Sequence, residues 1–143
     1  MFKLGIMGMT VPKEYGGAGA DQVSAAIVTE ELAKACASTS DIVAGHTLCC
    51  VPILEHGTEE QKRKYLPMLT EGGVLGGMGI TEPNAGSDAS KSQTEARLEG
   101  DHYVINGAKI FITNGPEAGV FVIFAMTDKS KGTKGLSAFI IES

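Results

Sequence analysis

Apolar positions recur at helical spacing in the first half of the chain and alternate in the second. Val23, Ile27, Val28, Leu32, Ala35 and Cys36 fall at offsets of zero, four, five, nine, twelve and thirteen, one buried stripe of a helix that Asp21 can cap. A second apolar helix is predicted over 41–55, with Pro52 kinking or breaking it and His56-Gly57 marking its end. Thr58 and Gln61 then form a capping box, each side chain satisfying the other's free backbone N–H. They open a short third helix that ends near Pro67. Before all of these, Leu4 to Met9 leads straight into a loop, Val11 to Gly17, with nothing ahead of it to pack upon.

After Glu71-Gly72-Gly73 the period changes to that of strands. Val74 to Ile80 reads as extended and glycine-rich. Ala96 and Leu98 alternate with charged neighbours, Glu99-Gly100-Asp101 can turn the chain, and 102–105 returns as a hairpin. Asn106-Gly107 predicts a type I′ turn into a second hairpin, whose strand runs from Lys109 to Thr113 with Phe111 and Thr113 on one side. Val120 to Met126 is a near-continuous apolar run suited to a strand covered on both faces, and Leu136 to Ile141 is a last strand at the end of the chain. The pattern predicts an α+β chain, with helices over 1–72 and then a sheet or barrel built from antiparallel hairpins over 73–143, holding only part of its strands. An orphan helix pair at one end and an open sheet at the other are the marks expected of a fragment.

Composition narrows the field. The 143 residues carry 43% hydrophobic and 20% charged residues, which is enough apolar content for a core. Nineteen glycines and no Trp describe a loop-rich chain whose backbone can approach a ligand closely. The formal charge is -5 and the cations are scattered apart from Lys62-Arg63-Lys64, so no basic stripe suits nucleic acid. Cys36, Cys49 and Cys50 lack C-x-x-C spacing and read as reduced core thiols in helices. His46, His56 and His102 have no second metal-type ligand at three- or four-residue spacing. No apolar run reaches the ~18 residues of a membrane span and the start lacks a signal-peptide core, so a cytoplasmic chain without membrane contact is expected.

Candidate chemistry gathers in two segments. Met78 to Ser90 reads MGITEPNAGSDAS, a strand end running into a turn that can present N–H groups and hydroxyls to an anion as a nest. Phe111 to Gly115 offers an aromatic and a hydroxyl to a flat heterocycle with polar edges. Glu82 sits where a general base is tempting, and its better reading is a turn residue held by hydrogen bonds. Gly17-Ala18-Gly19 and Gly77-Met78-Gly79 lack the third glycine and the strand-to-helix setting of a dinucleotide fingerprint, which excludes a nicotinamide site of that type.

The strings GITEPNAGSDAS and NGAKIFITNG, with EYGGAG and HGTEEQKRKYLP before them, closely resemble the acyl-CoA dehydrogenase family, in the family's order and over essentially the whole chain. FAMTDKSKG adds a likeness to its short-chain, butyryl-CoA-type branch. The resemblance implies a three-part subunit with FAD between a middle β-barrel and a C-terminal four-helix domain, of which this chain would hold the end of the first part and the start of the second. It implies flavin contacts at Met78, Gly79, Ile80 and Thr81, with Thr81 hydrogen-bonding the polar edge. Phe111, Ile112 and Thr113 are implied too, Phe111 stacking on the ring and Thr113 near N5. Ser87 should meet the cofactor's phosphates and help position the acyl-CoA. Many relatives carry an aromatic where Met78 stands and Trp where Phe111 stands. The implied reaction removes the substrate's α-proton by a glutamate of the missing C-terminal domain and its β-hydrogen as hydride. No catalytic residue is therefore expected here. Electron-transferring flavoprotein is the implied acceptor, a dimer or tetramer the implied assembly, and the mitochondrial matrix the implied location if the source is eukaryotic. An acyl-CoA oxidase or nitroalkane oxidase on the same scaffold, or a non-catalytic flavin- or CoA-ester-binding or scaffolding module, is the alternative.

Overall fold

The computed structural model describes residues 1–143, and places helices before residue 72 and strands after it. Three short 3-10 turns open the chain, then α1 (Gln22–Ala35), α2 (Ala37–His56) and α3 (Glu59–Thr70). Five strands follow: β1 (Leu75–Gly79), β2 (Glu95–Glu99), β3 (His102–Asn106), β4 (Ala118–Met126) and β5 (Leu136–Glu142).

The caps form where the sequence places them. The Asp21 carboxylate accepts from the Ser24 N–H at 2.7 Å, and Thr58 and Gln61 make both bonds of their box. The apolar stripe of α1 is another matter. Val23 and Ile27 are exposed, and the face turned to α2 is instead Ala25, Val28, Thr29 and Leu32, which are half-buried. Those four sit at offsets of zero, three, four and seven, an equally helical set. Small side chains let the helices approach, and the Ser40 hydroxyl donates to the Thr29 carbonyl across the gap.

α2 begins four residues before the predicted start, because Cys36 in an extended conformation (φ -159) ends one helix and begins the next. Cys36 is consequently exposed, and only Cys49 and Cys50 are core thiols. Burial pushes the Cys49 thiol up to about 11 and the Cys50 thiol higher still. Pro52 does not break α2, and Pro67 does not end α3, which runs three residues further. Each proline removes one hydrogen bond, and packing of Ile53, Leu66 and Leu69 in the core offsets it. Against the sequence reading, α2 has the length and mean hydropathy, 1.2, of a membrane span. Here it is the core helix, with Val43, His46, Cys49, Cys50 and Ile53 buried.

Contrary to a wholly antiparallel sheet, β1 pairs with β4 in parallel and β2 touches β4 in parallel at Glu95–Met126. Only β2–β3 and β4–β5 are antiparallel, and the sheet does not close. Alternation of side chains carries no strand direction, and the connection from β1 to β4 is long enough for a parallel crossover. The run in β4 is covered on one side only: Val120 and Val122 are buried against the helices, while Phe121 and Ile123 on the other face are half-buried.

Candidate functional site

β1 lies with one edge on β4 and the other facing away. Residues along a strand alternate between the two edges, and Gly76 fixes which is which. Its N–H donates to Nδ1 of His46 at 2.9 Å and its carbonyl accepts from Nδ2 of Asn114 at 3.1 Å. Gly76, Met78 and Ile80 therefore present their main-chain groups to the free edge.

The segment predicted as the partner strand, 109–113, does run along that edge, but as an arch. It is tied at one end by the Ile110 N–H to the Thr81 carbonyl, 3.0 Å, and by Nζ of Lys109 to the Ile80 carbonyl, 3.2 Å. At the other end Asn114 spans the carbonyls of Gly76 and Ile42. Between the ties the chain bows out, because Phe111 (φ 55) and Asn114 (φ 66) are both left-handed. No hairpin forms at Asn106-Gly107, since Asn106 keeps the strand conformation to the end of β3. Phe111 and Thr113 do not share a strand face. Phe111 is 89% exposed, whereas the Thr113 hydroxyl turns to the Asp41 carboxylate, 3.3 Å. Ile112 lines a cleft with Phe121, Ile123 and Ile141. The arch leaves the Met78 N–H and C=O with no loop or side-chain partner. A bare aromatic at positive φ beside an open main-chain pair is a strained arrangement of the kind held at ligand sites.

Beyond β1 the chain makes a closed turn, with Glu82 N–H to the Ala85 carbonyl at 2.9 Å and Ala85 N–H to the Glu82 carbonyl at 3.1 Å. Glu82 is only 5% exposed. Its carboxylate accepts from Nζ of Lys109 (2.7 Å), the Ser92 hydroxyl, and the N–H groups of Gln93 (2.6 Å) and Thr94 (3.0 Å). Burial pushes the carboxyl up, but Lys109, Ser92, Thr94 and Gln93 outweigh it and hold it well below the usual carboxylate range. Glu82 is a turn-holding carboxylate, as its position in the turn suggested. In the nest segment, the Ser90 N–H and hydroxyl are taken by Asp88. Ser87 is exposed, and it and the N–H groups of Asn84 and Gly86 have no protein partner. The Thr81 carbonyl is already used by Ile110.

Four residues of this site escaped the sequence reading: Lys109, Asn114, His46 and Gly45. Asn114 reads as a turn breaker, yet its amide holds the arch. Gly45 is required by close approach: a Cβ there would stand 2.6 Å from Cγ2 of Thr113. A lone lysine inside AKIFIT is the one signal that was available.

The fold and this site define an α+β chain in which a glycine-rich strand and an aromatic-bearing arch frame an open backbone edge. Two family models match it, the acyl-CoA dehydrogenase N-terminal domain over 1–73 and the acyl-CoA dehydrogenase middle domain over 77–143. The chain belongs to the acyl-CoA dehydrogenase family. It is 60% identical to the short-chain specific acyl-CoA dehydrogenase of Clostridium acetobutylicum, over 99% of this chain and 38% of that protein. Among solved structures it is similar to the butyryl-CoA dehydrogenase of Megasphaera elsdenii, with 48% identity and a TM-score of 0.94 over 99% of this chain and 38% of that one. It is also similar to an acyl-CoA dehydrogenase from Bacillus anthracis complexed with FAD, with 42% identity and a TM-score of 0.88 over 99% of this chain and 24% of that one. The 143 residues thus span well under half the length of these relatives.

Proposed function

We propose that the whole protein of which these residues form part is an FAD-dependent, short-chain acyl-CoA dehydrogenase that converts an acyl-CoA to its trans-2-enoyl-CoA. One observation carries the reading: the Met78 N–H and C=O stand open on the β1 edge, bounded by an arch whose Phe111 is 89% exposed. A planar heterocycle with a polar edge fits both features, and the similarity to an FAD-complexed relative supports the choice of FAD. FAD, when bound, accepts the substrate's β-hydrogen as hydride.

The chain's own residues bind and orient. Met78 to Thr81 line the ring, Met78 offering its open main-chain N–H and C=O to the polar edge and Thr81 its hydroxyl. Phe111 would cover the ring, with Ile112 and Thr113 in further contact with it. Ser87 and the free N–H groups beside it hold phosphate, and Ser87 helps position the acyl-CoA. No residue here abstracts the α-proton, because Glu82 is fully engaged and stays ionised. That step belongs to a glutamate outside these residues. Electrons pass on to electron-transferring flavoprotein, in a homo-oligomeric enzyme of the bacterial cytoplasm, or of the mitochondrial matrix if the source is eukaryotic.

The test is FAD titration and butyryl-CoA oxidation by the whole protein. Phe111→Ala should weaken FAD about tenfold, the size of one lost aromatic stack, and the 143-residue chain alone should show no turnover. A whole protein that binds no flavin, or an unaltered affinity in the variant, contradicts the reading.

A further inference from the structure

We infer that Lys109, anchored by Glu82, is the positioning residue that fixes the start of the arch against β1, and so where Phe111 stands for the flavin ring. This rests on the FAD reading above. Lys109 is the second residue of the chain's passage into the arch after Gly107, and its ammonium has three acceptors at fixed points: Oε1 of Glu82 at 2.7 Å, the Ile80 carbonyl at 3.2 Å and the Ser92 hydroxyl at 3.3 Å. One of those is the last carbonyl of the ligand-facing edge. The other two belong to the buried turn and loop behind it.

Both charged side chains are almost fully enclosed, Lys109 8% and Glu82 4% exposed. Replacing a buried ion pair by apolar groups of similar volume is often neutral or stabilising, so the charge on Lys109 is not accounted for by stability alone. What the ion pair supplies is direction. The Lys109 stem crosses β1 at Gly79, where a Cβ would stand 3.3 Å from Cγ, and the adjacent Ile110 N–H bonds the Thr81 carbonyl. The start of the arch is therefore tied to β1 by a side chain and by main chain in consecutive residues. There is no slack upstream either, because a Cβ at Gly107 would run into the hydroxyl of Thr94 and stand 2.6 Å from its Cα. Asn114 closes the far end by side-chain bonds alone. Without Lys109, the near end keeps a single hydrogen bond, and Phe111 is free to collapse toward the edge or swing from it.

The experiment uses the whole protein. Lys109→Met leaves a buried, unpaired carboxylate and can unfold the chain, so the informative variant is Glu82→Gln/Lys109→Met, which removes both charges. FAD affinity is read by flavin fluorescence, the ring's surroundings by visible circular dichroism of the bound flavin, and folding by thermal melting of the apoprotein. The double variant should melt cooperatively as apoprotein, bind FAD about 10- to 100-fold more weakly, the size of one or two positioned hydrogen bonds, and show an altered flavin dichroism. Lys109→Arg, which keeps charge and donors, should recover part of the loss. A double variant with wild-type affinity and dichroism overturns this inference alone, leaving the FAD reading intact. A wild-type protein that takes up no FAD overturns both.

Discussion

Glu82 and Phe111 are neighbours of the same edge with opposite local logic. Glu82 is a charge that the fold satisfies completely, with four donors on one carboxylate. Phe111 is a large apolar ring that the fold leaves in solvent at positive φ. Each inverts the usual rule for its type, and both inversions meet on one strand edge. Gly45 ties this edge to the helices. Gly45→Val should press on Thr113, displace the arch and weaken FAD in the whole protein while costing about 1–3 kcal/mol of stability by overpacking; titration with FAD and chemical unfolding measure the two. Sequence marked 78–81, 87 and 111–113 because their strings resemble a family. Lys109 went unmarked, since its one signal, a lysine between alanine and isoleucine, reads as a solvated position until the turn at Glu82 is folded against it.

At the scale of elements, the period of the apolar residues located every helix and all five strands, but not what each would touch. α1 has two helical stripes, and the one it buries is the small-residue stripe that fits α2. The strand predicted over 109–113 failed for a reason visible only in three dimensions: its ladder is replaced by ties at Lys109, Ile110 and Asn114 around an open Met78. The α3 cap was legible in full, and Thr58→Ala should lower stability by about 1 kcal/mol, measured by chemical unfolding.

The contact between α2 and β1 should be pH-sensitive, because it runs through the buried imidazole of His46. His46 accepts from Gly76 N–H at Nδ1, so its proton sits on Nε2, facing Sγ of Cys50 at 3.7 Å, with the Phe2 ring edge-on. Burial lowers its pKa. A lowered pKa means that the unfolded chain binds the proton more readily, so this stabilisation is complete above the unfolded value, about 6.5, and is lost as pH falls below it. Unfolding midpoints should drop from pH 7.5 to 5.5, and His46→Gln should flatten that slope. An equal slope in the variant would remove His46 as the cause.

For the molecule as a whole, helices and sheet meet in one core, where Ile53, Leu66 and Leu69 of α2 and α3 pack on Val120 and Val122 of β4. β1 rests on that core through Gly76, and its outer edge is left to the arch and to whatever the arch frames. The sheet is open, and α1, which packs on α2, keeps an exposed side at Val23 and Ile27. Sequence pattern reached the change from helices to strands near residue 72. It did not reach strand direction, which depends on crossovers rather than on alternation. Hydrogen exchange on the whole protein, as apoprotein and with FAD, tests the central claim most directly. The amides of 77–81 and 110–114 should gain protection on FAD binding, Met78 among them, while those of α1 stay unchanged. Protection confined to other segments, with 77–81 exchanging as before, would contradict the placement of the flavin at this edge.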